Sequence, residues 1–123
     1  MSIVLHGVAA GKGIAIGHAH LITRGTTEVP QYDIDPDKLD AEVARFDNAI
    51  KATRKELEQL RGAIPENAPT ELGAFISLHL MLLTDVTLSR EPIDILREQK
   101  INAEWALKQQ SDKLAAQFDS IDD

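Results

Sequence analysis

No cysteine occurs among the 123 residues. That excludes disulfides, thiolate metal sites and cysteine nucleophiles, and it suits a reducing compartment. Aromatic residues are scarce, at 4%, so a core must be built from Leu, Ile, Val and Ala, the mix of packed helices. Long hydrophobic runs are missing too: the longest, around Leu78 to Leu83, falls far short of the ~20 residues a membrane helix needs. The N-terminus lacks a basic stretch leading into an apolar run, so no signal peptide is visible and no membrane insertion is expected. Basic charge is outnumbered, 13 Lys and Arg against 20 Asp and Glu, for a net charge of −7. Binding to nucleic acid calls for clustered cations, so no nucleic-acid partner is expected. An acidic surface suits solubility, or a basic protein partner.

What is present begins with a glycine-rich run, "HGVAAGKGIAIGHAH", His6 to His20. A phosphate-binding loop would place four residues between its glycines, then Lys and a hydroxyl residue. Gly7 and Gly11 are three apart in that sense, and Lys12 is followed by Gly13. The dinucleotide pattern misses as well, because Gly13 to Gly17 is one residue too long. The run reads instead as extended chain, with Ile14, Ile16, His18, His20 and Ile22 on one face of a period-two pattern over residues 3–34. A turn-rich connection, Gly25 to Asp33, follows it. His18 and His20 share that face but lack a third ligand, so no metal site is expected.

The period then changes. Asp35-Pro36 starts a helix. Leu39, Val43, Phe46, Ile50, Thr53, Leu57 and Leu60 follow at spacings of four and three, and Gly62 is expected to stop it. At roughly 40 Å this helix needs a partner helix. A second helix spans Thr70 to Asp85 with two apolar faces, one of Leu72, Phe75, Ile76, His79, Leu83 and Val86, the other of Leu78, Met81, Leu82 and Leu88. Periodicity alone favours burial between neighbours. His79 reads as a hydrogen-bonded core or interface histidine. Ser89 or Thr87 caps a third helix with Pro92 in its first turn and Ile93, Leu96 and Ile101 inward. Asn102 caps a fourth, with the stripe Ala103, Leu107, Gln110, Leu114, Phe118 and Ile121. The fold class is therefore mainly α, an antiparallel four-helix bundle of two α-hairpins preceded by a short β segment. Glu42, Asp47, Glu56 and Glu58 interleave with Lys51, Arg54 and Lys55 as a solvated, ion-paired face. No nucleophile or carboxylate pair is placed for catalysis, so no catalytic residue is assigned and a binding module is the natural inference.

Three stretches together resemble Enzyme I, the phosphoenolpyruvate-protein phosphotransferase family of the bacterial phosphotransferase system. Gly7 to Ala19 fits the register G-x-x-A-S-P-G-I-A-x-G-x-A, with Gly11-Lys12 in place of Ser-Pro. "EVARFDNAIKATRKELEQL" looks like the family's first long helix, and "AFISLHLMLLTD", Ala74 to Asp85, is close to its A-I-F-x-x-H-x-M-L-L-x-D signature. The resemblance implies a longer bacterial cytoplasmic enzyme that passes a phosphoryl group from phosphoenolpyruvate, through its own histidine, to the small carrier HPr. It divides the chain into residues 1–34, the opening of an incomplete phosphohistidine domain, and residues 35–123, a helical HPr-binding domain. The family's phosphohistidine motif, G-G-x-T-S-H, does not occur here, so none of the four histidines carries over. Mg²⁺ is expected for the full-length enzyme and no cofactor for this part.

The resemblance also revises the second helix, whose outer face in the family docks HPr. Carried over, the apolar contact positions are Leu78, Met81, Leu82 and Leu88, with Glu71 and Asp85 acidic. Ser77, Val86, Thr87 and Ser89 stand where relatives often have more acids, which implies a more apolar, less salt-sensitive contact. "NAEWALK" is similar to the nitrogen-related branch, whose carrier is an HPr paralogue, whereas Met1 directly before the strand favours the sugar-type layout. A helical adaptor descended from such a domain is the alternative function. Unpaired N-terminal strands would favour disorder over residues 1–20 or self-association with another copy.

Overall fold

Asp35 and Pro36 open the helical part of the protein, seen in a computed structural model that describes residues 2–22 and 27–121. The first turn, Pro36–Lys38, is a tight three-residue-per-turn helix, because proline presets φ there and needs no N–H partner. Asp35 contributes its backbone carbonyl, which accepts from Lys38 N at 2.8 Å, and no side-chain cap. Helix α1 follows at Leu39–Gly62. Gly62 is its last residue but does not turn left-handed; the next residue, Ala63, stays right-handed at φ −92°. The stop comes from Pro65 instead, which disfavours helical geometry at Ile64.

Helix α2 spans Thr70–Leu82, three residues shorter than its periodicity suggests. The Thr84 hydroxyl and N–H both donate to the Met81 carbonyl, at 2.7 and 3.0 Å, and close the chain into a turn. Asp85 then caps a single turn α3, Val86–Ser89, its carboxylate accepting from Thr87 N at 2.8 Å. Neither Thr87 nor Ser89 caps the helix that holds Pro92: its N-cap position is Arg90, without a side-chain bond. Helix α4 is Glu91–Gln99, with Pro92 buried in its first turn, and α5 is Ala103–Asp119. Together, α2 and the segment from Val86 to Gln99 bend by 62°.

Between α4 and α5 the chain reverses within three residues. Lys100 takes the left-handed conformation at φ 55°. The Ile101 N–H then reaches the Leu96 carbonyl at 3.3 Å, and the Ile101 and Leu96 side chains are both buried. This is the helix-ending motif normally built on glycine, here held by lysine. The core lies at this end of the molecule: Phe46 of α1, Ile93 and Leu96 of α4, Ile101, and Ala103 and Ala106 of α5, with Leu39, Val43, Ile50, Ile95, Trp105 and Leu107 packed around them. Helix α1 touches α2, α4 and α5, and α4 lies along α5. The fold is mainly helical, with four helices of nine residues or more among the described residues, besides the turns Pro36–Lys38 and Val86–Ser89.

The period-two pattern of the N-terminal segment does not produce a strand. Residues 2–22 carry no regular structure and every one is exposed. A strand needs a neighbour to take its N–H and C=O groups, and none is supplied by these helices. The expected connection from Gly25 lies partly outside the described residues. Among the described residues the only β pairing is an isolated antiparallel bridge, Asp33 with Ile101.

That bridge sits on a polar cluster the sequence disguises. Glu42, expected on the solvated face, is 9% exposed. Its carboxylate accepts from Ala103 N at 2.9 Å and from Arg45 at 2.6 and 3.0 Å. Arg45 also grips Glu104 with two bonds of 2.7 Å. Glu42 thus caps α5 from another helix, putting negative charge where the helix N-terminus favours it. Asn102 holds the N-cap position but its side chain does not bond the helix N–H groups. It is fully buried and turned toward residues 30–32.

Arg45 hydrogen bonds hold the Glu104 carboxyl down at about 2 against the opposing pull of burial, with Asn102 assisting. Glu42 is lowered as well, by Arg45 first, and with a share from Ala103 N–H after burial's opposition. Carboxylates depressed on folding stabilise the native state above their ordinary pKa and lose that contribution as pH falls toward the folded value. The thermal midpoint is therefore expected to hold level from about pH 8 to 5 and to fall between about pH 4.5 and 2. Glu104→Gln should remove part of that acid-side fall. A midpoint already dropping between about pH 7 and 5, or an unchanged slope in the variant, would contradict the assignment.

Candidate docking surface

Helix α2 contributes one buried side chain, Ile76 at 3% exposure, and turns most of its other apolar residues outward, Leu80 being half-buried. Burial between neighbours, the expectation from periodicity, does not occur, because the helices that could cover its second face pack around the opposite end of α1. Met81 is 61% exposed and Phe75 59%, with Leu78, Leu82 and Leu72 exposed beside them. Leu88 is half-buried, and Glu71 and Asp85 are exposed at either end of the helix. Asp85 is committed to the α3 cap, and the hydroxyl and N–H of Thr87 hold its carboxylate below the ordinary range. Its charge is therefore fixed in place at the edge of the apolar face.

Sequence reasoning missed three contributors. Phe75 and Leu72 share a predicted apolar face with Ile76 and are not among the carried-over contact positions, yet both stand outside. Phe118, read as part of the inward stripe of α5, is 70% exposed, and Ile121 is exposed beside it. Phe118 and Leu114 line a shallow hollow of about 210 Å³ together with Leu82, Asp85, Thr87 and Leu88. The apolar face of α2 therefore continues across α3 onto the last turns of α5. Ala106, which the stripe left out, is fully buried in α5, as is Gln110, which the stripe included. The signal that could have found the outer face is the count of apolar residues on α2: more than one face's worth, in a molecule too small to cover both.

His79 stands at the border of this surface, half-buried. Its Nδ1 lies 2.8 Å from the Phe75 carbonyl, and the two rings sit 4.3 Å apart at a 52° tilt. A carbonyl only accepts, so Nδ1 carries the proton and Nε2 is the free nitrogen. His6, His18 and His20 are exposed in the N-terminal segment. Among the described residues, no group of three or more His, Asp or Glu side chains is placed to hold a metal ion. Nor is any single helix among them long and apolar enough to cross a membrane.

Residues 6–123 match the family model described as PEP-utilising enzyme, N-terminal. The chain belongs to that family. Curated relatives named phosphoenolpyruvate-protein phosphotransferase include those of Cupriavidus necator, 46% identical over 123 residues, Bacillus subtilis, 34% over 122, and Haemophilus influenzae, 32% over 120. These alignments cover 100%, 96% and 98% of this chain but 21%, 20% and 21% of the relatives. The chain thus spans about a fifth of the length of the relatives it matches. No solved structure was found to match it.

The histidine geometry gives a direct check. Long-range ¹H–¹⁵N correlation spectra of the neutral His79 ring should show the Nδ1–H tautomer. The Nε2–H tautomer would mean that the bond to Phe75 is not formed, and the ring not fixed.

Proposed function

We propose that this chain is the carrier-docking part of a phosphoenolpyruvate-protein phosphotransferase, Enzyme I. The whole enzyme takes a phosphoryl group from phosphoenolpyruvate onto its own histidine and passes it to HPr, in the bacterial cytoplasm, to serve sugar uptake. The observation that carries this reading is the outward apolar face of α2, Phe75, Leu78, Met81 and Leu82, on a member of this family. A monomer has no reason of its own to expose so continuous a patch, whereas a transient partner gives it one. Leu88 and Phe118 extend the patch, and Glu71 and Asp85 supply charge at its edges for steering a basic carrier. HPr is the occupant proposed, or its nitrogen-branch paralogue; the part described here docks the carrier and does no chemistry on the phosphoryl group.

In this reading the helical unit is residues 35–123, two α-hairpins in an antiparallel bundle, and residues 1–34 open the phosphohistidine domain. The N-terminal segment gains its strand partners from polypeptide outside this sequence. The surface area supports the idea: 10611 Å² is exposed, against about 6,500 Å² expected for a compact monomer of this mass. Isolated, the segment's exposed Ile3, Val4, Leu5 and Val8 favour association with a second copy.

Titrating the 123-residue chain with HPr and following amide shifts tests docking. Shifts should concentrate in residues 71–88 and around Phe118, and Met81→Lys should weaken binding by at least about tenfold with helix content unchanged. Because acids are few around the patch, affinity should fall less than about tenfold between low and high salt. Shifts absent from α2 would sink the docking assignment, and a steep salt dependence would show that charge rather than apolar contact holds the carrier.

A further inference from the structure

We propose that Met81 is a site of reversible oxidation, and that its sulfoxide closes the apolar face of α2 to the carrier. This rests on the docking reading above and concerns how that surface is regulated. The rest of the face is hydrocarbon: Leu72, Phe75, Leu78 and Leu82 are exposed on α2, and Leu88 is half-buried beyond it. Those side chains are inert to a mild oxidant, whereas a thioether is not. Met81 is also the most exposed apolar side chain of α2, at 61%. The sequence has no cysteine to react first, and its one other sulfur belongs to Met1. Met81 is thus the place where this surface can turn polar without any change of sequence.

Peroxide is the class of oxidant. The Met81 sulfur attacks one peroxide oxygen, an S–O bond forms as the O–O bond breaks, and the other oxygen leaves as water after a proton shift. The sulfur gives up an electron pair and the peroxide takes it. No base or metal from the protein is needed, only access to the sulfur. Reversal takes two electrons and two protons from a dithiol through methionine sulfoxide reductase, and the oxygen leaves as water.

The frame beneath the sulfur is fixed. The Met81 carbonyl accepts from both the hydroxyl and the N–H of Thr84, at 2.7 and 3.0 Å, and Asp85 caps the next turn. The backbone therefore keeps the side chain on the face after oxidation. A sulfoxide oxygen is an acceptor that must shed its water when an apolar partner covers it. Its apolar neighbours Phe75, Leu78 and Leu82 have no donor to offer, and the Thr84 hydroxyl proton is already given to the backbone. The core lies elsewhere, around Phe46, Leu96 and Ala106. Oxidation should therefore cost binding and leave the helices folded.

The 123-residue chain is treated with hydrogen peroxide, freed of it, and titrated with untreated HPr. Mass spectrometry should place an added oxygen on Met81. That form should bind HPr at least about tenfold more weakly, with helix content and thermal midpoint unchanged. Methionine sulfoxide reductase with a dithiol should bring the untreated affinity back. Met81→Leu is read as the ratio of its own affinities before and after peroxide, which should stay within about twofold whatever affinity the variant starts from. A Met81 sulfoxide that binds HPr within about twofold of the untreated chain would overturn the inference. So would a Met81→Leu chain that loses as much on treatment as wild type, or a Met81 left unoxidised at a dose that oxidises free methionine. An untreated wild-type chain that does not bind HPr would overturn the docking reading, and the inference with it.

Discussion

Arg45 is the side chain on which the arrangement turns. One guanidinium makes two bonds to Glu42 and two to Glu104, joining the first long helix to the last. Glu42 spends its remaining capacity on the first N–H of α5, and Glu104 receives Asn102. A buried carboxylate is costly unless every lone pair is engaged, so the cluster tolerates little change in geometry. That demand aligns α5 on α1, and the apolar core of Phe46, Leu96, Ile101 and Ala106 closes beside it. The reversal at Lys100, left-handed without glycine, is held because the two residues that follow it, Ile101 and Asn102, are both buried.

With the core concentrated at one end of α1, the other end has only α2 as a neighbour, attached chiefly through Ile76. The consequence is an apolar helix with most of its side chains outside. The turn at Thr84 and the cap at Asp85 then redirect the chain so that Leu88, Leu114 and Phe118 continue the same surface. Packing asymmetry and exposed surface are one feature: the helices that would have covered α2 are held by the polar cluster elsewhere. Fixed backbone, exposed leucines and a methionine, and acids at the edges suit an encounter that forms and releases quickly.

Much of this was legible in the sequence, for definite reasons. The four-and-three spacing from Leu39 to Leu60 marks α1 because a helix buries one stripe. Asn102 marks the start of α5 because its residue type and the following stripe agree. Glu42 was not legible. Glu42 and Arg45 three apart look like any surface ion pair, and the partners that engage them, Ala103 and Glu104, lie some sixty residues on. The two apolar faces of α2 could be read, but which faces outward depends on where other helices pack. The period-two pattern of residues 14–22 has the alternation of a strand but says nothing of whether a neighbouring strand is present, and no strand forms there. Phe118 and Ile121 continue a helical stripe past the point where α4, only nine residues long, can cover it.

The central claim is that the Glu42–Arg45–Glu104–Asn102 cluster makes residues 30–34 and the start of α5 one rigid unit. Amide hydrogen exchange in the 123-residue chain measures it most directly. The Ala103, Asn102, Tyr32 and Ile34 amides should exchange as slowly as the core amides of α4, while residues 2–22 exchange at the rate of free peptide. Ala103 and Ile34 exchanging as fast as residues 2–22 would contradict the account.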